Sequence, residues 1–453
     1  MEISELYKIF TEHPVVTTDS RDCPEDSLFF ALKGASFDGN KFASAAIEKG
    51  CAYAVVDEKE YAPAGDSRFI LVDDCLETLR QLSRYHRRTL GTPIIGITGT
   101  NGKTTTKELT AAVLRKKYNV LYTQGNFNND IGVPKTLLRL RPEHDIAVVE
   151  MGASHPGDIK RLVELVEPDY AIITNVGRAH LQGFGSFEGV IKTKGELYDF
   201  MRERDNWDAP KSRIINYWQK RCVFIDNENP YLKSIAHGLN LVRYGCTEKE
   251  PLWVNGKVKS CDPMLRFSWE HHDGSFTSVW HEVPTHLIGS YNITNMLAAV
   301  SIGLYFGVKP DLIVDALMRY TPSNNRSQFE QTADNRLIVD AYNANPTSMA
   351  ASLKNFAEIE ADGKMVIIGD MKELGEVSHE EHTKIIDQLK ASDIQTVWLV
   401  GSEFERCDTP EGFRKFDNVE QVKEAIRADK PRGRYILVKG SNSTRLYELP
   451  ELL

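Results

Sequence analysis

At 453 residues the chain is too long for one hydrophobic core, and about three domains is the natural expectation. Its 41% apolar and 26% charged residues are those of an ordinary globular protein. The formal charge of −9 argues against a general binder of nucleic acid or membrane surfaces, so an anionic substrate must be held by local basic groups.

Seven scattered cysteines, none in a Cys-x-x-Cys pair, read as reduced thiols rather than a disulfide framework or metal cluster. The opening MEISELYKIF is too short and too acidic for a secretory signal, and no apolar run reaches membrane-spanning length. The expected location is the cytoplasm.

In chain order, residues 1–88 alternate short strands (28–32, 69–72) with helices (42–49, 75–88). Asp19-Ser20-Arg21 and Lys33-Gly34 have turn chemistry. Arg21 and Lys33 also carry the charge to clamp a diphosphate.

A second unit, 89–319, opens on IIGITGTNGKTTTKE. The β-branched run Ile94–Ile97 predicts a buried strand. It breaks into Thr98-Gly99-Thr100-Asn101-Gly102-Lys103, and a helix begins at Thr104, with Thr105 next and Leu109, Ala112 and Val113 on its apolar face. Strand, glycine loop, Lys-Thr and helix form a phosphate-binding loop: backbone N–H groups and the helix dipole cradle phosphates, Lys103 adds a point charge, and Thr104 offers a hydroxyl to magnesium. Ile97 stands where the common form has glycine.

The segment GNFNNDIGVP (125–134) follows a strand at 119–122. Its Asn128 and Asn129 fit a capped turn or a site equally well. The strand 146–152 ends in Glu150, and the strand 170–175 runs into His180. Carboxyl ends of strands in open α/β sheets face the ligand crevice, which makes Glu150 and His180 candidate metal ligands. Lys192 and Lys194 lie on a helix from Phe187, ordinarily a solvated charged face. The charged, aromatic stretch 202–221 reads as a surface excursion, and 240–285 as short strands and turns. Asn292 and Asn295, three apart, share the face of the next helix, where they cap it or read a purine edge.

The last unit, 320–453, alternates strands (336–339, 365–368, 396–400, 435–438) with helical patterns, which predicts a parallel, doubly wound sheet. Arg326, Asp340 and Tyr342 fall at its opening edge.

GTNGKTT, Glu150, His180, Lys194-Gly195-Glu196 and the paired asparagines together resemble the ATP-dependent Mur ligases. GNFNNDIGVP, VDAYNANPTSM (339–349), IGDMKELG (368–375) and VKGSNS (438–443) narrow the resemblance to members that extend a UDP-muramoyl tripeptide. It implies an α/β protein of three domains: an N-terminal UDP-sugar-binding domain (1–88), a central P-loop ATP-binding domain on a parallel sheet (89–319) and a C-terminal Rossmann-like ligase domain (320–453). It implies a monomer that joins D-alanyl-D-alanine to UDP-N-acetylmuramoyl-tripeptide through an acyl phosphate, with ATP and two Mg2+.

In the implied site, Gly99 to Thr105 hold the phosphates, Thr104 and Glu150 bind one Mg2+, and His180 with a carbamylated Lys194 bind the other. Lys194 rather than Lys192 takes that role because it directly precedes Gly-Glu. Asn292, Asn295, Arg326, Asp340 and Tyr342 surround the nucleotide. Asn128 and Asn129 face the reacting centre, and Ser20, Arg21 and Lys33 hold the UDP part. Asp226 stands where the resemblance leads one to expect asparagine. The rival readings are another amide ligase of the superfamily and a nucleotide-gated switch. Glu150, His180 and Lys194 speak against the switch, which needs no metal pair to activate a carboxylate.

Overall fold

The computed structural model describes residues 1–204, 220–247, 252–274, 276–322 and 327–453. Their strands form three sheets. The first is parallel throughout, in the order β1 (Val16–Thr17), β2 (Leu28–Phe30), β3 (Tyr53–Val56), β4 (Phe69–Leu71). Helix Ile3–Glu12, which the sequence reading left unassigned, buries Leu6 and Phe10, one turn apart, against Leu79 and Leu82 of helix Cys75–Leu90. That second helix starts where Asp74 accepts from the Glu77 N–H at 2.7 Å and stops at Gly91 in the left-handed region.

The second sheet is built on β5 (Ile94–Thr98), flanked by β7 (Ile146–Glu150) and β8 (Tyr170–Ile173), with every residue of the three strands buried. Such unbroken apolar runs need cover on both faces. Helices Lys103–Leu114 and Ile293–Tyr305 cover one face, and Asp158–Val166 and Phe187–Arg204 the other. Outward from β7 lies β6 (Val120–Tyr122), and outward from β8 lie β9 (Cys222–Asp226), β10 (Leu241–Gly245) and β11 (Val254–Cys261), all parallel.

Beyond β11 the sheet turns antiparallel through β12 (Met264–Asp273), which pairs with β13 (Phe276–Thr277) and β14 (His281–Ile288). Here the expectation of short strands and turns is corrected, for β11, β12 and β14 run eight, ten and eight residues. A bulge between Val258 and Ser260 and the proline Pro284 inside β14 break the alternation from which strand length is read.

The third sheet has the order β15 (Gln328–Gln331), β16 (Arg336–Asp340), β20 (Tyr435–Lys439), β17 (Lys364–Gly369), β18 (Thr396–Val400), β19 (Arg414–Phe416). It is parallel apart from the edge strand β15, and helices lie on both faces, the doubly wound arrangement. All seven cysteines are free thiols. No helix among the described residues is long and apolar enough to cross a membrane.

Candidate active site

The carboxyl ends of β5, β7 and β8 open into one cleft of about 830 Å³ between the second and third sheets. Strand order reverses at β5, and ligands of open α/β sheets bind at such switch points. Register sets Ile97 opposite Glu150 and Thr98 opposite Ile173, so the glycine loop, the acid and the approach to His180 share one edge.

Two glycines make the loop possible. Gly99 has φ +143, and a Cβ there would collide with the Thr174 hydroxyl. Gly102 has φ +76, and a Cβ there would sit 2.5 Å from Asn295 Oδ1. Thr100, Asn101, Gly102, Lys103 and Thr105 line the cleft. Lys103 Nζ donates to the carbonyls of Gly99 at 2.8 Å and Thr100 at 3.0 Å, an ammonium parked over its own loop. The Asn101 N–H donates to Asn175 Oδ1 at 3.0 Å, and the Asn101 side chain exchanges amide hydrogen bonds with Asn345 of the third sheet's unit at 2.7 and 3.3 Å.

Glu150 is buried at the end of β7. The Thr104 hydroxyl donates to its two oxygens at 3.2 and 3.1 Å, and Asn128 Nδ2 to one of them at 2.8 Å. Lys107 Nζ, wholly buried, stands 3.8 Å behind it. Asn128 thus faces the acid. Its neighbour Asn129 caps the turn, its Oδ1 accepting from the N–H groups of Ile131 and Gly132 at 3.3 and 2.9 Å.

His180 also lines the cleft and is hydrogen-bonded through Nδ1 to the Glu373 carboxylate. Burial lowers its pKa, against the pull of Glu373. Asn292 and Asn295 lie on the same wall. Asn292 caps nothing: its Nδ2 donates to the Ile288 carbonyl at 2.7 Å, and Asn295 Nδ2 donates to Asn292 Oδ1 at 2.8 Å. From the third sheet's unit come Tyr342 and Asp340, which pairs with Lys439.

Three groups of expected residues lie elsewhere. Lys194 does not line the cleft: it is 2% exposed, its Nζ 5.4 Å from the Phe184 ring centre and within electrostatic reach of Lys103 and His180. Burial, and next the charge of Lys103, push its pKa far down, so the solvated-face reading is corrected. Arg21 pairs with Asp19 at 2.7 Å, and Lys33 with Asp57 and Glu58 at 2.9 Å each. The Ser20 carbonyl accepts from Lys49 at 2.6 Å. These three sit on the first sheet's unit, outside the cleft. Arg326, and 205–219 of the polar excursion, lie outside the described residues.

Sequence reasoning missed Lys107, Lys439 and Glu373. Lys107 follows Lys103 by one helical turn, spacing that could have placed it beside the strand end. Lys439 and Glu373 lie inside conspicuous motifs, but only the fold shows what they touch.

Family models match all three units: "Mur ligase family, catalytic domain" at 14–87, "Mur ligase middle domain" at 97–303 and "Mur ligase, glutamate ligase domain" at 325–442. The UDP-N-acetylmuramoyl-tripeptide–D-alanyl-D-alanine ligase of Bacillus subtilis is 34% identical over 447 residues, covering 96% of this chain and 92% of the relative. The chain belongs to the Mur ligase family. Among Mur ligase structures, MurF from Acinetobacter baumannii aligns with TM-score 0.81 at 29% identity, over 96% of this chain and 92% of that one. MurF ligase from Thermotoga maritima, solved in complex with ADP, aligns with TM-score 0.81 at 25% identity, over 97% and 96%. The agreement in both sequence and shape spans all three units of this Mur ligase rather than the phosphate loop alone.

Proposed function

We infer that this Mur ligase uses ATP to join D-alanyl-D-alanine to the terminal carboxylate of UDP-N-acetylmuramoyl-tripeptide, releasing ADP and phosphate in peptidoglycan precursor synthesis. The observation that carries this reading is near-full-length similarity to ligases of that name, together with a cleft that gathers the glycine loop, Glu150 and His180. A carboxylate is a poor electrophile because attack would have to expel oxide. Transfer of the γ-phosphoryl group gives an acyl phosphate, whose phosphate is a good leaving group. The dipeptide amine then attacks, and the acyl–oxygen bond breaks with release of phosphate. The protein's tasks are positioning and charge neutralisation.

Lys103 moves from its loop carbonyls to the β- and γ-phosphates, which the N–H groups of residues 99–105 cradle. Asn292 and Asn295 keep their second amide N–H groups for the adenine edge, and Asp340 and Tyr342 close the nucleotide site from the other side. Arg326 joins them on resemblance alone. Asn128 faces the reacting centre, with Asn129 holding its turn. Ser20, Arg21 and Lys33 bind the UDP part on the first unit.

The donor set fits magnesium. Thr104 and Glu150 offer hard oxygens, and no group of three His, Cys, Asp or Glu forms a complete cage among the described residues, which leaves positions for phosphate oxygens and water. Bound there and beside His180, two Mg2+ would screen the phosphates and the acyl phosphate. Lys194 fits a carbamate, because burial favours the uncharged form of its amine, the form that can attack CO2. Bicarbonate depletion tests that modification: turnover that does not fall removes it.

The functional division follows as 1–88, 89–319 and 320–453 in a monomer acting in the cytoplasm. The test is phosphate release and product formation with D-Ala-D-Ala, diaminopimelate or glutamate as acceptor, run with tripeptides ending in lysine and in diaminopimelate. Stimulation by the dipeptide is expected; stimulation by another acceptor alone would overturn the assignment.

A further inference from the structure

His180 and Glu373 are two of six non-glycine residues with positive φ among the described residues, at +51° and +62°, and their side chains meet across the cleft. Left-handed backbone disfavours L side chains and persists only where the surroundings impose it. An ion pair this open, with 35% and 58% of the two side chains exposed, gives too little stability to account for two such residues. The constraint therefore serves geometry.

Behind Glu373 the segment 370–375 is fixed from the third sheet. Asp370, buried, accepts from the N–H groups of Glu403 and Phe404 at 3.2 Å each. His382, wholly buried, accepts the Met371 N–H at Nε2 at 3.1 Å and is bonded through Nδ1 to the Ser378 carbonyl at 2.7 Å. In front, the Gln182 N–H donates to the Glu373 carbonyl at 3.2 Å. The same seam carries Arg178 N–H to Thr347 Oγ1 at 3.0 Å and Arg178 to Glu381 at 3.2 Å.

We propose that Glu373 is a positioning residue: supplied by the C-terminal unit, it holds Nδ1 of His180 and so aims Nε2 into the cleft only when the two units are docked. An imidazole that donates from Nδ1 to a carboxylate keeps its lone pair on Nε2, the arrangement that orients histidine ligands of metals. Docking of the C-terminal unit and assembly of the His180 side of the site are then one event. The inference rests on the reading of the cleft as an ATP- and metal-using ligase site.

The experiment uses the full chain with Glu373→Ala, Glu373→Gln, His180→Ala and the Glu373→Ala/His180→Ala pair. It measures ligation kinetics, thermal unfolding, and binding of Mn2+ in the presence of ADP by electron paramagnetic resonance. Glu373→Ala is expected to lower kcat about 10–100-fold and weaken Mn2+ binding, with the KM for the dipeptide and the unfolding midpoint little changed. Glu373→Gln, whose carbonyl can still accept from Nδ1, recovers much of the loss. Added to His180→Ala, Glu373→Ala costs nothing further, because it acts through that imidazole. Wild-type kcat and Mn2+ affinity in Glu373→Ala, or losses that multiply in the double variant, overturn the proposal. If the wild-type chain itself ligates nothing, the reading of the site fails instead.

Discussion

Glu150 carries more of the proposed chemistry than any other side chain, and its surroundings hold it buried and hydrogen-bonded. Thr104 and Asn128 donate to it and Lys107 stands behind it, so the carboxylate is oriented before any cation arrives. Asn128→Ala should lower turnover about 10–100-fold, as loss of an outer partner of a metal ligand does, and Glu150→Ala should lower it further. Phosphate release titrated with Mg2+ checks both: a Glu150→Ala enzyme with full turnover removes the assignment. Asp226, at the end of β9, shows the opposite situation. Burial pushes its carboxyl up to about 6, from the ordinary 3.8, with the Glu228 N–H at 3.0 Å its partner. A raised carboxyl pKa means that the folded chain holds a proton the unfolded one has lost. Stability from this group is therefore full below about 3.8 and is lost as pH rises to about 6. Asp226→Asn keeps the acceptor without the charge. It should stabilise the chain above pH 6 by at most a few kcal/mol and change nothing at pH 4, as urea unfolding at the two pH values would show.

At the scale of elements, the helix Ile293–Tyr305 links site and core. Asn295 reaches the loop at Gly102 and hydrogen-bonds the Thr106 hydroxyl at 3.1 Å, while Leu297, wholly buried, fills the space over Gly256 of β11. Leu297→Ala should cost about 2–5 kcal/mol, measured by denaturant unfolding, because it empties a packed position against backbone that cannot follow. A cost below 1 kcal/mol would mean that the helix repacks. β5, its loop and helix Lys103–Leu114 are legible from sequence because one contiguous stretch holds every cause: β-branched strand residues, two obligatory glycines, then helical periodicity. The hairpin of β11 and β12 is not, because its bulge shifts the alternation out of phase. For the site, Lys103, Glu150 and His180 could be placed by the rule that strand ends face the crevice. Glu373 could not, since no local pattern joins residues 193 apart.

Over the whole molecule, the first unit is fastened to the second by buried polar groups. Arg87 of helix Cys75–Leu90 donates to the carbonyls of Val166 and Glu167 at 3.0 Å each and pairs with Asp169 at 3.1 Å, both side chains 2% exposed. A charge pair so buried is costly to break, which ties the first unit firmly to the second. At the cleft, the ion pairs between second and third units are more open: Arg178 with Glu381 and His180 with Glu373 each leave at least one partner about a third or more exposed. That asymmetry fits an enzyme whose last domain closes over nucleotide to exclude water.

In the proposed reaction this cleft moves a phosphoryl group onto the peptide's own carboxylate. Ligation with a tripeptide whose terminal carboxylate carries 18O in both positions tests it most directly. One labelled oxygen should leave in the inorganic phosphate, detected by mass spectrometry, for each amide bond formed with D-Ala-D-Ala. Amide formation with no label in the phosphate would contradict the acyl phosphate and the roles assigned around it.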